Sequence, residues 1–157
     1  MTRAIPFDIL EPFLIQREAV KFRPYRDSVG VLTVGCGHTG PDVHPGVLWT
    51  QERVDEALKA DLTVAAVRLQ KACGGSGPLA SLTDHQYAAL LSFVFNVGAD
   101  PSWSIWRALK EGRIVDVPKQ MARFVFAGGK QLQGLVNRRA AEVALWNTPD
   151  KNHAVIA

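Results

Sequence analysis

Two cysteines, Cys36 and Cys73, are all that this sequence contains. A pair is too few for a disulfide framework and, without histidines at ligand spacing, too few for a zinc site. Both are expected to be free, buried thiols in a chain folded in a reducing compartment. Long apolar runs are missing too. Residues 88–97 and 64–69 fall well short of the roughly 20 residues that span a bilayer, so no stable membrane insertion is expected. Asp8, Glu11 and Pro12 interrupt the stretch where a secretion signal would need its apolar segment, which points to synthesis in a cytoplasm. There are no repeats and no low-complexity segment. Charge of one sign is scarce: 18 basic residues against 15 acidic give +3. That excess suits an anionic polymer, but it is slight for nucleic acid, and no nucleic-acid-binding motif accompanies it. His44, His85 and His153 lack partners at metal-ligand spacing, and the glycines at 35 and 37 lack the Lys-Ser/Thr ending of a phosphate loop. No metal and no cofactor are therefore expected.

What is present is an ordinary globular composition, 47% hydrophobic over 157 residues, enough for one domain with a real core. Asp8 and Glu11 have capping-box spacing, and the apolar residues after them predict a helix over about 9–21, ended before Pro24. β-branched residues punctuated by glycine predict a small antiparallel sheet over about 25–39. Thr50 is a good N-cap for a helix over about 50–72, stopped by Gly74 and Gly75. At 1.5 Å per residue that helix spans roughly 33 Å, long enough to connect two lobes. Thr83 and Gln86 form a capping box for a helix that ends at Gly98, apolar nearly all round and so the centre of the second lobe. Further helices are expected at about 104–111, 117–126 and 134–147. The fold class is α+β, mostly helical, with the sheet confined to an N-terminal lobe (about 9–50) and a C-terminal helical lobe over about 78–147.

Glu18 lies near the end of the first expected helix, Asp27 follows nine positions later, and Thr33 six positions after that. Two carboxylates on different elements suit glycoside hydrolysis. One stays protonated to donate to the leaving oxygen, and the other stays ionised to activate water or stabilise the oxocarbenium-like transition state. Glu18, on a helix, is the better acid; Asp27, beside Arg26 and a polar turn, is the better ionised partner; the Thr33 hydroxyl is suited to holding the attacking water. Spacing alone fits many Glu–Asp pairs in a chain with fifteen acids.

The surrounding residues are more specific. Glu18, Asp27, Thr33, then Gly35, Gly37, His38 and Thr39 reproduce the active-site pattern of phage-type lysozymes, glycoside hydrolase family 24. Residues 82–98, with Asn96 and Gly98, and residues 134–146, with Arg138, Arg139 and Glu142, resemble that family's second lobe. The resemblance runs from about residue 8 to 147. It implies a lysozyme-like two-lobed fold with a long interlobe helix. It also implies a cofactor-independent muramidase that cleaves the β-1,4 bond between N-acetylmuramic acid and N-acetylglucosamine in a peptidoglycan glycan strand. Carried over residue by residue, Glu18 is the general acid, Asp27 the second carboxylate, Thr33 the third member, and His38 a structural neighbour of the site. Arg26 and Asn96 are expected to contact substrate. Members of this kind generally invert at the anomeric carbon. Two positions depart from the family pattern: Ala19 stands where glycine is usual, and Cys36 where an aromatic or aliphatic residue is common. Neither touches the triad.

The expected biology is that of a monomeric endolysin, made in the host cytoplasm and released to the wall when a separate holin opens the membrane. Other readings stay open: a lytic transglycosylase or chitinase of the same superfamily, or a non-catalytic wall-binding module. Arg17, Lys21, Arg23 and Arg26 flank the expected acid and base and suit the carboxylates of peptide stems. Arg138 and Arg139 read equally well as a solvated helix face. Trp103 and Trp106 are expected in the core.

Overall fold

The computed structural model describes residues 2–151, so His153 and the rest of the 152–157 tail lie outside the described residues. The chain forms α1 (Phe7–Arg17), then β1 (Lys21–Arg26), β2 (Leu32–Gly35) and β3 (His38–Thr39). Helices α2 (Gln51–Ala72), α3 (Gly77–Ala80), α4 (Asp84–Val97) and α5 (Ser104–Lys110) follow. A 3-10 turn (Ile114–Asp116), α6 (Val117–Met121), β4 (Phe126–Ala127), β5 (Lys130–Gln131) and α7 (Gln133–Trp146) complete it. The class is α+β and mostly helical. Among the described residues no helix is long and apolar enough to cross a membrane.

The residues cluster into two units, Glu11–Val64 and Met1–Leu10 with Ala65–Ala157. The first carries an antiparallel sheet in the order β1-β2-β3, with Thr33 paired to Tyr25 on one side and Thr39 on the other. Its core is Val34, Val43, Trp49 and Val54, with Val20, Leu32 and Ala57 packed against them. Thr50 caps α2 as its side chain predicts, its Oγ1 accepting from the Arg53 amide at 3.2 Å. Buried Val54, Leu58, Leu62, Ala65 and Leu69 form the apolar face. The helix stops in a Schellman arrangement: Gly75 N–H bonds to Gln70 O at 2.9 Å, and Gly74 sits at φ +79°, where only glycine is unstrained.

The second unit is built on α4, whose residues 87–94 are all buried and which packs against α7. Both halves of the Thr83/Gln86 capping box are formed. The Asp150 carboxylate adds a second cap from far along the chain. It accepts from the amides of Asp84 (2.9 Å) and His85 (3.1 Å) and pairs with the His85 ring at 2.6 Å.

Four expectations are corrected. The first helix covers Phe7–Arg17 rather than 9–21, which places Asp8 in its first turn instead of at its N-cap. The sheet begins at Lys21 rather than about 25. Pro24 sits inside β1, which it can do because β1 is an edge strand whose register with β2 shifts between Lys21 and Tyr25. The helix expected over 117–126 ends at Met121, and Gly128 and Gly129 turn a two-residue hairpin, so the small N-terminal sheet is not the only one. Arg138 and Arg139 are neither a wall-facing patch nor a solvated face. With Glu142 they are buried, because spacings of three and four residues bring all three to one side of α7. Arg139 Nε lies 2.7 Å from Glu142 Oε1, and Ser92 Oγ donates to Glu142 Oε2 at 2.6 Å. Burial pushes the Glu142 carboxyl up, against the pull of Arg139, Ser92 and Arg138.

Candidate active site

Glu18 is the first residue past α1, and its amide still bonds to Leu14 O at 2.7 Å, so the helix fixes where its Cα stands. The half-buried side chain reaches the β2–β3 turn. A Cβ placed on Gly37 would lie 3.7 Å from Glu18 Oε2. Gly37 has φ +73°, so the turn needs glycine for its backbone, and glycine leaves the carboxyl beside bare main chain.

Asp27 follows β1 and organises the turn into β2. Its Oδ1 accepts from the amides of Val29 (3.0 Å) and Val31 (2.8 Å), while its own amide donates to Val31 O at 2.9 Å. This is an Asx turn closed by a main-chain bond. It leaves Oδ2 uncommitted among the described residues. Thr33 is buried in β2, and its hydroxyl donates to the same Val31 carbonyl at 2.9 Å. A single residue that sequence reasoning passed over, Val31, thus ties the second carboxylate to the threonine. Its side chain carries no signal for this, because the linkage is entirely main chain.

His38 pairs across β3 with Val34 and adjoins Gly37. Its Nδ1 lies 2.8 Å from Asp61 of α2, and its Nε2 lies 3.0 Å from Asp42. Burial opposes the imidazolium, but the hydrogen bonds and charges of Asp61 and Asp42 outweigh it, and the His38 pKa is raised. The bond to His38 lowers that of Asp42. The His38 ring rests against Trp49, centroids 5.3 Å apart, and the Arg53 guanidinium stands 4.3 Å from the Trp49 ring centre. His38 is therefore clamped between two carboxylates and the Trp49 ring. Asp61 carried a usable signal. It lies three residues after buried Leu58 and one before buried Leu62, and a carboxylate beside an apolar stripe needs a partner.

Arg26 Nη1 donates to Gly30 O at 3.0 Å and braces the Asp27 turn. Asn96 belongs to the other unit, on α4, where its Oδ1 accepts from Arg139 at 2.7 Å. Trp106 is buried and Trp103 half-buried in an aromatic cluster with Phe93 and Phe124. Cys36 and Cys73 are both buried and outside any disulfide, and burial pushes the Cys73 thiol up to about 12.

A carboxyl at a helix end, and a second carboxylate with one oxygen held and one open, linked through Val31 to a hydroxyl, are groups of the kind that acid–base chemistry on a glycosidic bond uses. Comparison with known proteins agrees in kind. The family model described as phage lysozyme matches residues 15–142. A SAR-endolysin of bacteriophage PS119 is 38% identical over 133 residues, which is 82% of this chain and 77% of that protein. A SAR-endolysin of Escherichia phage Mu is 37% identical over 136 residues, covering 85% and 76%. Among solved structures, the muramidase domain of SpmX from Asticaccaulis excentricus superposes with TM-score 0.79 at 26% identity, over 94% of this chain and 99% of that one. The active form of P1 phage endolysin Lyz gives TM-score 0.78 at 24% identity over 88% and 82%, a likeness of fold.

Proposed function

The chain belongs to the phage lysozyme family, and from that premise we propose that it is an endolysin hydrolysing the β-1,4 bond between N-acetylmuramic acid and N-acetylglucosamine of peptidoglycan. Glu18 is the general acid that protonates the leaving glycosidic oxygen. Asp27 acts through Oδ2 as the base on a water, and Thr33 orients that water through the lone pairs its bond to Val31 leaves open. The water attacks the anomeric carbon on the face opposite the leaving group, so the configuration inverts. Arg26 keeps the Asp27 turn rigid, and the amide group of Asn96, oriented by Arg139, meets the glycan strand. In the infected host the protein reaches the wall after a holin opens the membrane, and lysis follows.

The observation that carries this reading is the Asp27–Val31–Thr33 linkage. It gives one carboxylate a fixed orientation and an open oxygen, and holds a hydroxyl through the same residue, which supports a role in water activation. Muropeptide analysis after digestion by wild type and Glu18→Gln tests it. Reducing muramic ends are expected from wild type, with release slowed about a thousandfold in the variant, within the range of a lost general acid. Anhydromuramic ends would make the enzyme a transglycosylase, and equal activity in the variant would end the assignment of Glu18.

A further inference from the structure

β1 buries neither of its faces: five of its six side chains are exposed and Pro24 is half-buried. An antiparallel sheet ordinarily covers one face with the core, so such a strand leaves surface unaccounted for. Its charges are one-sided. Lys21, Arg23 and Arg26 are cations, the sole carboxylate from Lys21 to Gly35 is Asp27, and one oxygen of Asp27 is folded into its own turn. None of the three cations pairs with a carboxylate among the described residues. Interleaved with them are large apolar side chains in water. Phe22 is exposed on β1, and Val29 at the tip of the hairpin is 80% exposed. The Trp49 amide donates to Phe22 O at 2.8 Å and brings Leu48, 59% exposed, alongside. Isolated exposed apolar residues are ordinary; several on one hairpin amid uncompensated cations are not.

We propose that the β1–β2 hairpin and the adjoining Leu48 loop form a docking surface for an anionic phospholipid bilayer. The cations meet lipid phosphates, while Phe22, Val29 and Leu48 enter the boundary between headgroups and acyl chains. The apolar set decides between polyanions. Nucleic acid and glycan strands offer hydroxyls, phosphates and bases, to which valine and leucine contribute little, whereas an interface rewards burying them. The contact is peripheral and reversible.

The test is co-sedimentation of the full chain with vesicles of phosphatidylethanolamine and phosphatidylglycerol, beside vesicles of phosphatidylcholine alone. Binding to the anionic vesicles only is expected, weakening as salt rises. Lys21→Glu with Arg23→Glu should lower partitioning about tenfold or more, and Leu48→Ser about threefold. Circular dichroism on each variant confirms that the fold is kept. Equal binding to both vesicle types, or to neither, overturns the proposal. So does unchanged binding by Leu48→Ser, or displacement of the protein from vesicles by duplex DNA at matched phosphate, since either reduces the surface to a general polyanion contact.

Discussion

The amide of Asp27 and the hydroxyl of Thr33 share one acceptor, the Val31 carbonyl, each at 2.9 Å. Neither group can shift without disturbing the other's partner. Thr33→Val removes the hydroxyl while keeping the shape, so the expected loss lies in turnover rather than in substrate binding. We expect kcat on purified peptidoglycan to fall about a hundredfold with KM little changed. Thr33→Ser keeps the donor and should retain most activity; comparing the two variants in a turbidity assay checks this.

Asp61 should matter most in mild acid. His38 has a raised pKa in the folded chain, so its pairing stabilises fully below the unfolded histidine value and is lost as pH rises through the folded one. Asp42 has a lowered pKa, so its share is present above the unfolded carboxyl value and is lost as pH falls. The cluster therefore stabilises most between those limits. Asp61→Ala is expected to cost about 1.5 kcal/mol at about pH 5.5 and clearly less at about pH 8.5. Urea unfolding at the two pH values measures the difference.

Glu142 pairs with two buried guanidinium groups at once. Glu142→Gln leaves Arg139 buried without its countercharge and removes one carboxylate from Arg138, a loss of about 3 kcal/mol and about 10 °C in Tm. Replacing all three with apolar residues of similar volume should cost much less. Thermal melts of the single and triple variants separate the two outcomes.

Asp150→Ala strips a cap from α4. About 1–2 kcal/mol should be lost, with faster hydrogen exchange at the Asp84 and His85 amides and little change at the Gln86 amide, which bonds to Thr83 instead. Nuclear magnetic resonance exchange rates at those amides report it directly.

The parts of this fold that were legible are those where a local device and a burial pattern coincide. α4 runs from its Thr83 cap to Gly98 as expected, because its residues are apolar and its ends are marked by side chains. β1 was misread because an exposed edge strand has no alternation to display; its ladder to β2, not its own side chains, makes it a strand. The β4–β5 hairpin is too short to carry a period. At the site, Glu18, Asp27 and Thr33 stand out by spacing within a motif. Their supports did not: Val31 acts through main chain, and Asp61 lies 23 positions from His38. Arg138 and Arg139 were misread because a charged pair on a helix looks the same in sequence whether it faces water or a buried glutamate.

Asp84 is held from both directions of the chain. Its carboxylate receives Arg3 at 2.7 Å, and its amide is taken by Asp150. Position 3 leaves the ribosome before that helix and position 150 after it, yet both meet at its start. The helix is thus half-fastened when it emerges and closes only when the growing chain has delivered Asp150. Joining the two segments by a short linker and reopening the chain at an exposed loop should therefore change the order of folding without changing the final structure.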